Sequence, residues 1–201
     1  MDFFKCYYKD NQSYGFFKQS GYPKYFHPEQ DSVAAFSCAL SAILHKTRKE
    51  KQSLLILCIG TDKITGDCLG PLVGTRLLEQ RCPIPVYGTL QYPVHASNLS
   101  TIVTKIRRDF HNPFLIVVDA SVGTREKVGY VSFSTEPVYP GRGVCRPLFP
   151  IGNLSLTGII HEDSPHCEIQ LPYTRLYTIY RMADYLCKVI LRVTSDIPDT
   201  E

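Results

Sequence analysis

Two aspartates are placed so that their carboxylates could act together on one substrate. Asp67 lies in the Gly-rich loop 60–71, which follows an apolar run, and Asp119 directly follows the apolar run 114–118. Ligands of parallel sheets bind beyond the carboxyl ends of the strands, so both acids can reach one crevice. Two carboxylates in a partly dry site cannot both ionise easily, and one pKa rises. The charged acid can take a proton from water while the neutral acid donates to a carbonyl oxygen, which is the chemistry of peptide-bond hydrolysis.

The same acids also have a purely structural interpretation. Asp67 can cap a turn, and Asp119 can close a strand at a turn. Nucleotide binding is a weaker alternative, because the loop contains neither Gly-Lys-Ser/Thr nor G-x-G-x-x-G, and its two acids would repel a pyrophosphate. Cys68 is interpreted as a buried, inert thiol, since the neighbouring carboxylate of Asp67 raises the pKa of a nucleophile.

Further residues near the ends of the predicted strands and in one long loop form a candidate substrate-binding set. Two of them follow the first strand, one follows the second, and three lie in the loop 136–153, which is rich in Pro and Gly. A loop of that length without structure of its own is often a binding segment, and its arginines could hold an acidic peptide or remain solvated. The set consists of Thr61, Asp62, His95, Gly141, Arg142 and Gly143.

The elements that must position these residues alternate between strands and helices. Apolar runs predict buried strands at 54–60 and 114–119, with shorter strands at 85–90, 128–134 and 157–161. Helical spacing of apolar residues predicts helices over 32–50, 71–80, 95–108 and 172–193. The alternation predicts one three-layer α/β domain over 31–201, a mostly parallel sheet with helices on both faces. The tyrosines near the last helix are interpreted as ordinary amphipathic packing: Tyr173, Tyr177, Tyr180 and Tyr185.

Residues 1–30 are interpreted as an extension rather than a domain. They hold ten of the aromatic residues in a chain that has 13 Tyr and 10 Phe. Such a segment is costly to leave in water, so we expect it to lie across the domain or across a partner subunit in a homo-oligomer.

Composition excludes several classes of protein. A net charge of +3 over 201 residues, without a basic cluster, argues against nucleic-acid binding. The sequence has no apolar run long enough to span a membrane and no secretory signal pattern. Its eight cysteines include no C-x-x-C pair, which favours reduced thiols in the cytoplasm over a zinc site or a disulfide framework.

Several motifs resemble those of known protease families. The loop core G-T-D-x-x-T-G-D-x-L-G-P over residues 60–71 is similar to the acid loop of the spore germination proteases and, more distantly, to that of the hydrogenase maturation endopeptidases. The segment 117–120 resembles the second acid strand of both groups, and the segments 140–144 and 152–158 resemble a Gly-rich loop of the germination proteases. Residues 88–96 strengthen a resemblance to the YyaC-type spore proteases of sporulating Firmicutes, which covers about residues 32–193.

The resemblance implies a fold like that of the hydrogenase maturation proteases, with Asp67 and Asp119 as the catalytic acids. It implies a small spore or sporulation protein as substrate, in the cytoplasm or the forespore. The hydrogenase endopeptidases hold a metal with two acids and a His, but the loop 136–153 contains no His, so we expect no metal and no other cofactor. His95 and His161 are alternative ligands from elsewhere in the chain. The rival interpretations are a non-catalytic peptide-binding or regulatory protein on this fold, and a metal-dependent hydrolase of small amides.

Overall fold

A computed structural model describes residues 25–140, 149–164 and 167–195, and its centre is a six-stranded sheet. The strands in chain order are β1 Tyr25–Phe26, β2 Leu54–Cys58, β3 Val86–Tyr87, β4 Phe114–Gly123, β5 Val131–Ser134 and β6 Leu154–Glu162. Their order across the sheet is β1-β5-β6-β4-β2-β3. The neighbours from β6 to β3 pair in parallel, while β5 is antiparallel to both β6 and β1.

Helices cover both faces of this sheet. They are α1 Val33–Thr47, α2 Leu69–Glu79, α3 Leu99–Asp109, α4 Cys167–Gln170 and α5 Leu176–Thr194, with short 3-10 helices at Thr65–Asp67, Arg125–Lys127 and Leu171–Tyr173. One apolar core joins α1, α2 and α5 to the sheet, and a second joins α3 to the opposite face. The predicted three-layer α/β class with a mostly parallel sheet is therefore confirmed.

Sequence patterns predict long elements such as strand β2 and helix α1 well, because their buried residues follow a regular pattern along the chain. All five residues of β2 are buried, as expected for a parallel strand covered on both faces. Helix α1 begins after Ser32, whose Oγ accepts a hydrogen bond from the Ala35 backbone amide at 3.1 Å. The Leu40 and Ile43 side chains of α1 are buried against the sheet.

Several element boundaries differ from the expectation. Strand β4 does not end at Asp119 but continues to Gly123, because β6 remains paired with it past the end of β2. The second strand shrinks to two residues, and the helix expected from residue 95 begins at Leu99. Residues 95–98 instead form a turn in which the Asn98 side chain accepts from the His95 amide.

The start of the described chain is joined to the sheet. Tyr25 and Phe26 pair with Ser132 and Val131 of β5, and the Phe26 ring stacks on Phe36 of α1 with 4.2 Å between centroids. Residues 1–24, which hold most of the predicted extension, lie outside the described residues. Within the described part of the chain, no helix combines the length and the apolar character needed to cross a membrane.

Candidate active site

The loop after β2 folds back so that Asp67 returns to the end of that strand. The Thr61 backbone amide donates to the Asp67 carbonyl oxygen at 3.0 Å, and the Gly60 amide donates to the Val94 carbonyl oxygen at 2.8 Å. Gly60 has φ +140°, and a Cβ at that position would overlap the Asp67 carbonyl oxygen. A glycine at residue 60 is thus required both by the backbone angle and by the close return of the loop.

Asp119 lies inside β4, beside the point where β2 leaves the sheet. It is opposite Thr157 of β6, and the preceding Val118 carbonyl accepts from the Ile59 amide at 2.8 Å. The Ala120 amide donates to Asp119 Oδ1 at 2.9 Å. Beyond Ile59 the chain leaves β4 and enters the acid loop, so Asp119 lies at the carboxyl end of β2, the edge at which sheets of this kind bind ligands.

The two carboxyls are electrostatically coupled. Burial raises the pKa of Asp67 from its ordinary 3.8 to about 6, and the Thr61 amide opposes part of that shift. Burial also raises the pKa of Asp119 well above its ordinary value, the negative charge of Asp67 raises it further, and the Ala120 amide lowers it. Asp67 therefore ionises before Asp119, and the charge on Asp67 then favours the protonated form of Asp119.

Three of the six residues predicted to bind substrate lie on the segments that follow β2 and β3, near the acid loop. Thr61 bonds to Asp67 through its amide, and the Gly60–Val94 bond brings the partly buried His95 next to the acid loop. Asp62 is exposed on the same loop. The other three predicted residues, Gly141, Arg142 and Gly143, lie outside the described residues.

Cys68, the neighbour of Asp67, is a poor candidate nucleophile. Burial raises its thiol pKa, and the charges of Asp62 and Asp67 raise it further. A thiol with a raised pKa holds its proton at neutral pH, so little thiolate is available for attack.

The histidines do not complete a metal site with the acids. Among residues 25–140, 149–164 and 167–195, no three side chains of His, Cys, Asp or Glu come together in an arrangement that could hold a metal ion. His161 is opposite Val122 at an irregularity in the β4–β6 pairing, and its Nε2 is buried without a hydrogen-bond partner. Within the described residues, Asp67 and Asp119 therefore have no third ligand of these types.

Sequence patterns missed one part of the site, the support that the segment before α5 gives to the acid loop. A Cβ at Gly66 would lie 2.8 Å from both the Leu171 carbonyl oxygen and Thr174 Oγ1. The 3-10 helix Leu171–Tyr173 thus packs directly on the 3-10 helix that carries Asp67. More than 100 residues separate the two segments, and no local pattern reports such a contact.

Comparison with known proteins gives a family, a relative by sequence and a solved structure of similar fold. The family described as "Protein of unknown function (DUF1256)" matches residues 26–189. The chain is 36% identical to "Uncharacterized protein YyaC" of Bacillus subtilis (strain 168) over 181 residues, which is 89% of this chain and 87% of that protein. Its fold is similar to the crystal structure of a [NiFe] hydrogenase maturation protease, HycI, from Thermococcus kodakarensis KOD1. That match has a TM-score of 0.46 and 18% identity, and covers 77% of this chain and 99% of the other.

Proposed function

The chain belongs to the DUF1256 family, and from its coupled carboxyls we propose that it is an endopeptidase in which an aspartate pair activates water. The observation that carries the proposal is the placement of the two acids at the carboxyl end of the sheet, where burial, and then the charge of Asp67, raise the pKa of Asp119. We assign the ionised state to Asp67 and the neutral state to Asp119, which supplies the base and the acid that the reaction needs.

The chemistry follows from these states. The Asp67 carboxylate takes a proton from water, whose oxygen attacks the carbonyl carbon of the scissile bond, while Asp119 donates its proton to the carbonyl oxygen. The tetrahedral intermediate then collapses as the bond to nitrogen breaks. The proton on Asp67 passes to the leaving amine, and a hydroxyl proton of the intermediate returns to Asp119. Both carboxyls end in their starting states, and no covalent enzyme intermediate forms.

The substrate class follows from the sequence resemblance. The acid-loop motif of the germination proteases leads us to propose a small spore or sporulation protein, met in the cytoplasm or the forespore. Thr61, Asp62 and His95, on the segments that follow β2 and β3, are proposed to contact the bound peptide. The proposed partners are this protein substrate and, through the N-terminal segment, a second copy of the chain.

The test is a search for new peptide ends. The full chain is incubated with protein extract from a sporulating bacterium, and mass spectrometry records termini that are absent without enzyme. We expect Asp67→Asn to abolish these termini while the circular dichroism spectrum stays unchanged, because the variant lacks the base. Asp109→Asn, an exposed acid at the end of α3, serves as the matched control and should retain cleavage.

Full cleavage by a folded Asp67→Asn variant would contradict the aspartate mechanism. Absence of cleavage by the wild type, combined with retention of a specific protein from the extract, would favour the non-catalytic binding protein instead.

A further inference from the structure

An exposed apolar face lies directly beside the acid loop. Half of the ten large hydrophobic side chains that are exposed in the described residues fall between residues 169 and 180. Tyr173 ends the 3-10 helix before α5, while Leu176, Tyr177 and Tyr180 lie at helical spacing within α5, and we call these four residues the tyrosine face. Their exposed fractions are 82%, 60%, 56% and 48%. The interpretation of these tyrosines as ordinary packing is therefore wrong for three of the four, and holds only for the buried Tyr185.

The face is continuous with the candidate active site. Tyr173 ends the 3-10 helix whose Leu171 carbonyl oxygen abuts Gly66, the residue before Asp67. The next residue, Thr174, is buried against the same glycine, and α5 begins two residues later. A polypeptide that reaches from the acid pair towards the first turns of α5 therefore crosses the tyrosine face.

The electrostatic character of the face is basic. Residues 171–183 contain Arg175 and Arg181 and no acid, and of these two cations Arg181 is paired with Glu29 at 3.8 Å. The first acid of α5, Asp184, is already paired with Arg76 at 2.9 Å and Lys188 at 2.7 Å. The Arg76 guanidinium also lies over the Tyr180 ring, 4.4 Å from its centroid. The N-terminal end of α5 adds the positive end of a helix dipole.

Large exposed apolar side chains beside cations mark a protein-interaction surface, and tyrosine is a preferred residue in such surfaces. The basic charge argues against one candidate occupant, the N-terminal segment of the chain itself, because residues 1–24 carry four Lys against two Asp. A complementary segment must instead carry acids next to apolar side chains.

We propose that the tyrosine face binds the polypeptide substrate through a segment that combines apolar and acidic side chains. This inference rests on the proposed function and specifies its substrate class. Apolar side chains of the substrate pack on Tyr173, Leu176 and Tyr177, and its carboxylates approach Arg175. The bound chain is thereby held next to the acid loop.

Binding is measured separately from cleavage. The full chain carrying Asp67→Asn and Asp119→Asn is titrated into three short fluorescent peptides, one of Glu with Leu and Phe, one of Lys with Leu and Phe, and one of Glu with Ser. Fluorescence anisotropy should show tightest binding to the first peptide, and this binding should weaken as salt is added. Adding Tyr173→Ser and Tyr177→Ser should weaken it about tenfold. Adding Leu78→Ser, which removes a side chain of comparable exposure (52%) from α2, should leave it unchanged.

Several results would overturn the proposal. One is equal affinity for all three peptides. Another is a loss of affinity with Leu78→Ser as large as with the tyrosine substitutions, and a third is an affinity that the tyrosine substitutions leave unchanged. A change of oligomeric state in the tyrosine variant during sedimentation would assign the face to a second copy of the chain. Displacement of the acidic apolar peptide by a synthetic peptide of residues 1–24 would assign it to the chain's own terminus.

The proposal and the peptidase activity can fail independently. If the acidic apolar peptide binds as expected but the wild type cleaves nothing, the face stands as a binding site and the peptidase proposal fails. If the wild type cleaves a protein and the two tyrosine substitutions leave its KM and kcat unchanged, the peptidase stands and this inference fails.

Discussion

Two aspartates acquire different roles through their local surroundings. Asp67 sits on a turn with the Thr61 amide beside it, which limits the rise of its pKa to about 6. Asp119 is inside a strand, more strongly desolvated, and close to the charge of Asp67. The difference between base and acid is therefore made by position in the fold, since the two side chains are chemically the same.

The raised pKa values also have a consequence for stability. The folded state holds the protons on these carboxyls more tightly than the unfolded chain, so stability falls as pH rises above their ordinary pKa of 3.8. For Asp67 this loss accumulates between pH 3.8 and about 6 and amounts to at most about 3 kcal/mol.

We expect Asp119→Asn to melt at a higher temperature than the wild type at pH 8, because the wild type must bind a proton at Asp119 on folding or bury its charge, and an amide needs neither. The advantage should shrink as pH falls towards 4, where this carboxyl becomes protonated in the unfolded chain as well. Thermal unfolding across this pH range measures the effect, with Asp109→Asn as the control. A lower melting temperature for Asp119→Asn at pH 8 would contradict burial as the main cause of the shift.

Chelation tests whether the proposed cleavage depends on a bound metal ion. Two carboxylates without a third ligand hold a transition metal weakly, and the described residues bring no His or Cys into the pair. We therefore expect EDTA to leave cleavage unchanged, and elemental analysis of the purified protein to find no stoichiometric metal. Loss of cleavage that returns on addition of one divalent ion would contradict this, and His95 and His161 would then be the first ligands to examine.

At the scale of elements, the sequence predicts a strand or helix well where the side-chain pattern that determines it lies within that segment. Strand β2 and the apolar face of helix α1 follow from side-chain patterns within each segment, so the sequence predicts them. The extension of β4 past Asp119 depends on pairing with β6, which enters the sheet more than 30 residues later. Asp119 was thus identified as a candidate but placed at a strand end instead of inside a strand.

The exposed tyrosines illustrate the same limit. Tyr177 and Tyr180 repeat at helical spacing, which normally indicates burial against a neighbour. Tyr173 precedes the helix, in a 3-10 turn that is directed by its contact with Gly66. Whether a stripe is covered depends on which element packs over it, and that is decided by the whole fold.

The position of α2 against the sheet provides an element-scale prediction. A Cβ at Gly74 would overlap the Gly88 carbonyl oxygen and lie 3.4 Å from Cys58 Cβ, so α2 touches the β2–β3 edge without space for a methyl group. We expect Gly74→Ala to destabilise the protein by about 2–3 kcal/mol, because overpacking against backbone exceeds the roughly 1 kcal/mol that alanine gains in a helix.

Urea denaturation measures this change, and Glu79→Ala at the exposed end of α2 is the control. Cleavage should fall in Gly74→Ala as well, since α2 begins two residues after Asp67 and a displaced helix moves the acid loop. If Gly74→Ala had the same free energy of unfolding as the wild type, α2 could shift without loss of stability, and the prediction would be wrong.

At the scale of the whole molecule, the acid pair lies where the sheet changes its neighbours. Strand β2 ends, β4 continues with β6, and the loops after β2 and β3 meet at the Gly60–Val94 bond. Asp67 is supported from the α2 and α5 side, and His95 comes from the chain that leads into α3. The site therefore draws on both layers of helices, and its geometry depends on the fold being intact as a unit.

The last prediction concerns the beginning of the chain. Phe26 is 1% exposed and packs between Phe36 and Phe133, and its strand covers the edge of β5. Deleting residues 1–28 removes this ring and uncovers an edge that can pair with another chain. We expect a loss of about 3–5 kcal/mol, the usual cost of truncating a buried Phe, together with aggregation. Chemical denaturation and size-exclusion chromatography measure both effects, and Phe26→Ala in the full chain should reproduce most of the lost stability. An unchanged melting temperature and elution volume after the deletion would mean that the edge strand contributes nothing to the fold.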